Sequence, residues 1–165
     1  MMQFKNFLDL NEVEKVLVYG WRNHLKIAPF MRTQTISLRG HLAFLETLRG
    51  DESKQYFLLI EGGEILGVVC FVDINFGISC EFGIYQNPDL RGNGTRLMEA
   101  MLEYAKSVLR VSKIYACVLN CNTKAIALYA KFGFILTKKD ATMSYFKLST
   151  LEIPTPARGG GIISL

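Results

Sequence analysis

The sequence predicts an α+β domain in which helices pack on a mainly antiparallel β-sheet. Strand-like segments outnumber helical ones, and most of them follow one another along the chain. The pair Gly62-Gly63 joins two apolar runs and supplies the positive φ angles of a tight hairpin turn. A strand-helix-strand unit lies near the middle. With 165 residues, of which 50% are hydrophobic and 21% charged, the chain has room for one core and none for a second domain.

The N-terminal segments predict one strand followed by two helices. MQFKNFLDL alternates as a strand, and NEVEKVLVYGWRNH is a helix with Asn11 as its cap. ISLRGHLAFLETLRG is a second helix, capped by Ser37 and stopped by Gly50. The inward-facing residues are predicted to be Val13, Val16, Leu17 and Trp21 in the first helix and Leu38, Leu42, Leu45 and Leu48 in the second.

The remaining segments predict the rest of the sheet and two further helices. The hairpin YFLLIEGGEILGVVCFVDI is followed by the strand CEFGIY, and KIYACVL, FILTK and MSYFKLS are the later strands. Asn122 can cap the helix TKAIALYAKF, which Gly133 can end. The helix between CEFGIY and KIYACVL has a shared face formed by Leu97, Met101, Tyr104, Ala105 and Val108. The predicted order is β-α-α-β-β-β-α-β-α-β-β.

The domain is predicted to occupy residues 1–150. Residues 151–165 are rich in proline and glycine and are predicted to be a disordered tail. The longest apolar run, Ile65–Phe71, is too short to span a membrane, and MMQFKNFLDLNE lacks the apolar core of a signal peptide, so a cytoplasmic location is expected.

Composition argues against several classes of partner. The formal net charge of +4 is spread along the chain with no basic patch interleaved with aromatic residues, so no nucleic acid is expected. No two of the four cysteines have the CxxC spacing. They are therefore expected to be reduced, packed thiols, and no metal site is expected. The oligomeric state stays open, with a homodimer as one option.

The stretch NPDLRGNGTRLMEAMLEYAK places two glycines directly ahead of a helical segment. The RGNG turn offers backbone amides at the positive end of a helix dipole, which is an arrangement that binds pyrophosphate. The alternative is that the glycines only turn the chain. A P-loop is excluded because no Lys-Ser/Thr pair follows, and a dinucleotide-binding fold is excluded because no GxGxxG is present.

A second motif points to a family. NTKAIALYAKFGF follows the pattern N-x-x-A-I-x-L-Y-x-K-x-G-F, and together with the upstream P-x-x-R-G-x-G it resembles the GNAT family of N-acetyltransferases. The resemblance covers almost the whole chain. It implies the GNAT fold, a mostly antiparallel sheet of about seven strands flanked by helices with strands 4 and 5 splayed. It also implies acetyl-CoA as donor. The sequence departs from the family at Arg96, where glycine or alanine is expected.

The resemblance assigns roles at the donor side. Tyr129 is the expected general acid that protonates the departing CoA thiolate, whereas its apolar helix face alone would make it a core tyrosine. Glu81 is the candidate base, with a water relay as the alternative. Gly83 can also be a packing glycine, Asn122 a cap and Lys131 a surface lysine. The expected cofactor-binding residues are Phe82, Gly83, Ile84, Arg91, Gly92, Asn93, Gly94, Thr95, Asn122 and Lys131.

The N-terminal segments suggest the acceptor. WRNH, FMRTQTISLRGHLAFLE and KQYFLLI resemble the branch of the family that acetylates the 4-amine of UDP-4-amino-4,6-dideoxy-N-acetyl-β-L-altrosamine in pseudaminic acid synthesis, a step toward flagellin glycosylation. The resemblance implies that Arg22 and His41 contact the phosphates. It further implies that Met31 and Phe44 wall the sugar and that Tyr85 stacks on uracil.

Each of these residues also has a plainer interpretation. Taken singly, they are more typical of core or surface positions, and His41 lies on an apolar helix face. Two other functions therefore stay open. One is N-terminal acetylation of a ribosomal or other protein, because WRN also occurs in those enzymes. The other is an acetyl-CoA-binding module without catalytic activity.

Overall fold

The computed structural model describes residues 1–33 and 35–152. Residues 150–152 form a short 3-10 turn, and the remainder of the predicted tail lies outside the described residues. The predicted order of elements is confirmed. The strands are β1 (Met2–Asn6), β2 (Gln55–Glu61), β3 (Glu64–Asn75), β4 (Ser79–Gln86), β5 (Lys113–Leu119), β6 (Ile135–Lys139) and β7 (Met143–Ser149). The α-helices are α1 (Glu12–Arg22), α2 (Leu38–Thr47), α3 (Gly94–Tyr104) and α4 (Thr123–Lys131).

The turn and cap predictions are confirmed. Gly62 and Gly63 have φ angles of 60° and 81°, and they close the hairpin between β2 and β3. Asn11 forms a capping box with Glu14 at the start of α1, and Ser37 accepts a hydrogen bond from the third residue of α2. These ends are determined locally, because each donor and acceptor lies within one turn of the other.

The seven strands form one sheet in the order β1-β2-β3-β4-β5-β7-β6. Every pair is antiparallel except β4 with β5, which is parallel. That parallel ladder pairs only Ser79–Glu81 with Lys113–Tyr115. Beyond it, β4 continues to Gln86 and β5 to Leu119 without pairing with each other, although β4 stays paired with β3 and β5 with β7. The predicted splay of the fourth and fifth strands is therefore confirmed, and the gap is called the strand opening below.

Alternation along the strands gives the sheet two faces with different cores. On one face, α3 and α4 cover the main core, to which the central strands contribute Phe57, Leu59, Val69, Phe71, Phe82, Ile114, Ala116 and Phe146. On the other face, α1 and α2 cover a smaller core built around Val18, Trp21, Leu45, Leu58 and Val68. Successive residues of one strand thus belong to different cores.

The predicted inner faces of α1 and α2 are partly wrong. Val13 and Val16 are exposed, whereas Val18 is buried beside Trp21. In α2, Leu38 and Leu42 are exposed. The buried residues of that helix are His41 and Leu45. Each helix carries apolar residues on two sides, so its docking against the sheet and against the other helix decides which side is covered.

The end of the third helix also differs from the prediction. Val108 is exposed, whereas Leu109 is buried. Residues Ala105–Leu109 form a π-helical turn, which widens the helix and turns position 109 toward the core in place of 108. The rest of the predicted face is confirmed, since Leu97, Met101 and Ala105 are buried.

Candidate active site

The strand opening joins the two faces of the sheet at Tyr129. The Tyr129 ring lies in the main core, with ring centroids 5.2 Å from Phe82 and 5.8 Å from Phe146. Burial raises the pKa of Tyr129, and negative charge on Cys70, Cys117 or Glu81 raises it further. Those three side chains lie on the opposite face, because their strand neighbours belong to the main core. Tyr129 is therefore within electrostatic reach of groups on the opposite face of the sheet.

Glu81 lies where the paired part of β4 and β5 ends. It is the last β4 residue in the ladder, opposite Tyr115. Burial raises the pKa of Glu81; the cation of Arg32 lowers it and the carboxylate of Asp73 raises it. A carboxylate whose pKa is raised is a stronger base than a solvated one. The role of Glu81 as the base stays a prediction.

Arg32 is a residue of this region that the sequence analysis missed. Its guanidinium Nη2 donates a hydrogen bond to the Cys117 sulfur at 2.8 Å. It also contributes positive charge near Glu81 and Tyr145. Arg32 and Cys117 are 85 positions apart, and neither belongs to a recognisable motif. The only signal in the sequence is a cation within the segment already assigned to the acceptor.

Gly83 has a packing reason that is visible in the structure. It pairs with Cys70 across β3 and β4, and a Cβ at position 83 would lie 2.9 Å from the Cys70 sulfur. Burial raises the pKa of the Cys70 thiol to about 12, so that thiol is neutral at physiological pH. Because β5 has left the ladder here, the β4 backbone beyond Glu81 has no strand partner on that side. The predicted use of Phe82, Gly83 and Ile84 toward pantetheine stays a prediction.

Most of the predicted acceptor residues converge at the edge of the smaller core. Met31, Phe44 and Tyr85 all pack against it as partly buried side chains. Burial lowers the pKa of Arg22, which lies close enough to Tyr56 and Tyr85 to interact with both electrostatically. Tyr56 was not predicted; its ring packs edge-on against Phe44, 5.0 Å between centroids. The acceptor cluster is defined here as Arg22, Met31, Phe44, Tyr56 and Tyr85.

His41 is placed one layer deeper. Its side chain is 2% exposed, and its Nε2 lies 3.0 Å from the carbonyl oxygen of Lys15. Burial lowers the pKa of His41, and the positive charge of Arg22 acts in the same direction. The hydrogen bond to the Lys15 carbonyl acts on that pKa in the opposite direction, and it ties α2 to α1. Its contact with a phosphate stays a prediction.

The glycine loop ahead of α3 leaves helix amides unsatisfied. The side chains of Asn11, Ser37 and Asn122 cap α1, α2 and α4, but Asn93 makes no such bond at the start of α3. The Asn93 side chain instead accepts a hydrogen bond from Arg96. The first amides of α3 thus keep their donors for an external acceptor, as in helix N-termini that bind anions.

Both glycines of the loop have a steric role. Gly92 has a φ of +76°, which favours glycine. A Cβ at Gly94 would lie 3.1 Å from a methyl carbon of Leu128, so this glycine lets α3 and α4 approach closely. Arg96 lies in the first turn of the helix, where it forms an ion pair with Glu61 of β2. The departure at Arg96 therefore leaves the glycine positions of the loop intact.

A cation lies beside this helix start. Lys131, at the end of α4, is 3.4 Å from the Thr95 hydroxyl through its Nζ. Arg91 is exposed at the loop, and Asn122 caps α4 through the amide of Ala125. Free amides, a glycine turn and a nearby lysine suit the pyrophosphate and phosphate groups that CoA carries. The residues present fit the predicted cofactor.

The described residues contain neither a disulfide nor a candidate metal site. All four cysteines are free thiols. In residues 1–33 and 35–152 no cluster of three or more His, Cys, Asp or Glu side chains could hold a metal ion. None of the helices in that same part of the chain is long and apolar enough to cross a membrane.

Comparison with known proteins gives consistent matches. Residues 18–134 match the model of the acetyltransferase (GNAT) family. The chain is 41% identical over 145 residues to the acetyltransferase PseH of Campylobacter jejuni, an alignment that covers 88% of this chain and 92% of that protein.

Solved structures extend the match. The crystal structure of C. jejuni N-acetyltransferase PseH in complex with acetyl coenzyme A superposes with a TM-score of 0.79 at 36% identity and covers 90% of this chain and 99% of that one. Spermidine N-acetyltransferase from Vibrio cholerae in complex with CoA and spermine also reaches 0.79, covering 90% and 95% of the two chains. At 19% identity, that second likeness concerns the fold alone.

Proposed function

The chain belongs to the acetyltransferase (GNAT) family, and we propose that its acceptor is the 4-amine of a UDP-4-amino-4,6-dideoxy-N-acetylhexosamine of pseudaminic acid synthesis. As a member of that family it is an acetyl-CoA-dependent N-acetyltransferase. The observation that carries the acceptor is the match to PseH, because it extends over 88% of this chain and 92% of that protein. The same match supports a place on the route to flagellin glycosylation.

The chemistry of the acceptor cluster fits a nucleotide sugar. A guanidinium such as that of Arg22 can bind a diphosphate through two parallel hydrogen bonds. The Tyr85 ring offers a stacking surface for uracil, and Met31 and Phe44 offer apolar walls for a sugar that lacks a 6-hydroxyl. Cations on the acceptor face, from Arg22 and Arg32, would repel a polyamine. The acceptor is therefore expected to be anionic.

The donor side fits the other substrate. The free amides of Gly94 and Thr95 and the cation of Lys131 would hold the pyrophosphate region of acetyl-CoA. The unpaired side of β4 at Phe82, Gly83 and Ile84 would align the pantetheine arm toward the strand opening. When bound, acetyl-CoA supplies an activated thioester. The protein's contribution is to place it beside the two titratable groups there.

Those two groups divide the proton transfers. Glu81, ionised, accepts the proton of the acceptor amine on a carboxylate oxygen, directly or through one water. Tyr129 keeps its hydroxyl proton because burial raises its pKa, and it gives that proton to the sulfur that leaves. The catalytically silent alternative is disfavoured because Tyr129 lies at the strand opening, where an acid is needed.

The direct test is acceptor-dependent release of CoA thiol by the purified protein. Acetyl-CoA would be supplied in separate reactions with the UDP-4-amino sugar, a ribosomal N-terminal peptide and spermidine. Release with the UDP-sugar alone would support the proposal. Release only with the peptide or with spermidine would overturn the acceptor and leave acetyl transfer standing, and no release with any acceptor would favour the silent module.

Location and assembly are also proposed. The cytoplasm is the expected compartment, because acetyl-CoA and nucleotide sugars are both made there. For a homodimer, light scattering should give twice the monomer mass of 18.6 kDa. A value near the monomer mass would contradict that prediction.

A further inference from the structure

Arg32 is fixed by hydrogen bonds both to its backbone segment and from its guanidinium. Its segment, between α1 and α2, is tied to the end of α1 because Arg22 donates to the carbonyl of Thr33. Asn23 exchanges two hydrogen bonds with Ile36, at 2.8 and 2.9 Å. The guanidinium of Arg32 then reaches β5 and bonds to the Cys117 sulfur at 2.8 Å. The Arg32 side chain therefore links the end of α1 to β5.

The far end of Arg32 lies beside Glu81. Cys117 follows Tyr115 by two positions and so lies on the same face of β5, and Tyr115 pairs with Glu81 in the parallel ladder. The charged and titratable groups that face this region are Arg32 from the α1–α2 segment, Asp73 and Cys70 from β3, Cys117 from β5, Tyr129 from α4 and Tyr145 from β7. Among these groups, all of which belong to the described residues, Arg32 is the one that carries a positive charge.

We propose that Arg32 is a positioning residue: anchored on Cys117, its guanidinium holds Glu81 as the carboxylate that receives the proton of the acceptor amine. This inference rests on the proposed function in taking Glu81 as the base. The proton moves from the amine nitrogen to a Glu81 oxygen, and Arg32 neither gains nor loses one because its guanidinium stays protonated. Arg32 acts through Glu81 and does not itself carry the proton.

The sign of the effect follows from the charges. The Arg32 cation lowers the pKa of Glu81 against burial and the Asp73 carboxylate, which both raise it. Without the cation, a larger share of Glu81 is protonated at a given pH and cannot accept a proton. Bound substrates exclude water, which strengthens the interaction relative to the free protein. The loss of activity should therefore be greatest at low pH.

The first measurement needs no substrate. The protein is labelled with 13C-glutamate, and the carboxyl signal that disappears in Glu81→Gln is titrated by NMR in the parent, Arg32→Gln, Arg32→Lys and Cys117→Ala proteins. Arg39→Gln is the matched control, because Arg39 is an exposed arginine in the first turn of α2. We expect the Glu81 titration to move to higher pH in Arg32→Gln, less in Cys117→Ala and least in Arg32→Lys, with no change in Arg39→Gln.

The second measurement is kcat against pH with saturating acetyl-CoA and UDP-4-amino sugar. Arg32→Gln should lose about 3- to 10-fold at pH 6, with most of the loss recovered at high pH and the KM for acetyl-CoA unchanged. Arg32→Lys should restore the profile. A loss of the same size at every pH, in a protein with unchanged thermal unfolding, would overturn the proposal.

The two measurements separate this inference from the proposed function. An unmoved Glu81 titration in folded Arg32→Gln overturns the role of Arg32 whatever the activity does. A moved titration with full activity of Glu81→Gln overturns the base assignment, and the inference with it, while acetyl transfer to the sugar stands. If Arg32→Gln shifts both the Glu81 titration and the low-pH side of the kcat profile to higher pH, the role of Arg32 and the base assignment are both supported.

Discussion

Within residues 1–33 and 35–152, the face of the sheet beneath α3 and α4 is closed and apolar, whereas the face beneath α1 and α2 is covered over β2 and β3 and open over β5 and β7. On β5, the residues directed to the closed face are buried, but Tyr115 on the open face is 38% exposed and Cys117 is half-buried. Under the proposed function, the closed face would build the donor side from backbone amides and close packing. The open face carries charged side chains from distant segments. Under the proposed function, the open face would supply selectivity for an acceptor.

The largest expected effect comes from removing the group that joins the two faces. Tyr129→Phe should lower kcat by about 10²- to 10⁴-fold, because the ring keeps its packing while the proton donor is lost. Steady-state kinetics and calorimetric binding of acetyl-CoA would measure the two properties. Tyr104→Phe is the control, since that hydroxyl bonds to Gln55 in the same core at 2.7 Å. Equal losses in the two variants would contradict the role of Tyr129 as acid.

A smaller effect should follow from a change confined to the open face. Arg22→Met should raise the KM for the UDP-sugar by about 10- to 100-fold, because a charged hydrogen bond contributes roughly 1.5 to 3 kcal/mol. The KM for acetyl-CoA should stay unchanged. Lys131→Met is the converse control on the donor side. If Arg22→Met changed both constants alike, the separation of the two sides would fail.

Measurements of unfolding free energy can test which residues of α1 cover the smaller core. Val18→Ala should lower the free energy of unfolding by about 2 kcal/mol, because the Val18 side chain is 2% exposed. Val16→Ala, on the same helix but 57% exposed, should change it by less than about 0.5 kcal/mol. Chemical denaturation of both variants measures the difference. A larger loss of unfolding free energy in Val16→Ala than in Val18→Ala would support the inward-facing position of Val16 that was predicted from sequence.

The smallest expected effect is a gain in stability on the open face. Burial raises the pKa of Glu81 in the folded protein, so its charged form opposes folding. The stability this group contributes is present below its unfolded pKa and is lost as pH rises through its folded pKa. Glu81→Gln should therefore unfold at a slightly higher temperature than the parent at neutral pH and at the same temperature near pH 3. Thermal unfolding at both pH values measures this, and a lower temperature at neutral pH would contradict it.

Prediction from sequence succeeded mainly where partners are close along the chain. The caps at Asn11 and Ser37 and the Gly62-Gly63 hairpin each depend on residues within a few positions of one another. The acceptor residues came from a resemblance, and the structure brings four of them together. Arg32 and Tyr56 were missed because their neighbours lie on other elements.

The sequence by itself determined the order of the elements, the starts of α1 and α2 and the family, because these follow from local hydrogen bonding, periodicity and a short motif. Only the tertiary structure decided that Val18 and not Val16 is buried, that β4 and β5 part after Glu81, and that Arg32 meets Cys117. The physical reason is that burial and charge depend on which surfaces dock. A helix with apolar residues on two sides does not specify that, and neither does a pair of residues 85 positions apart.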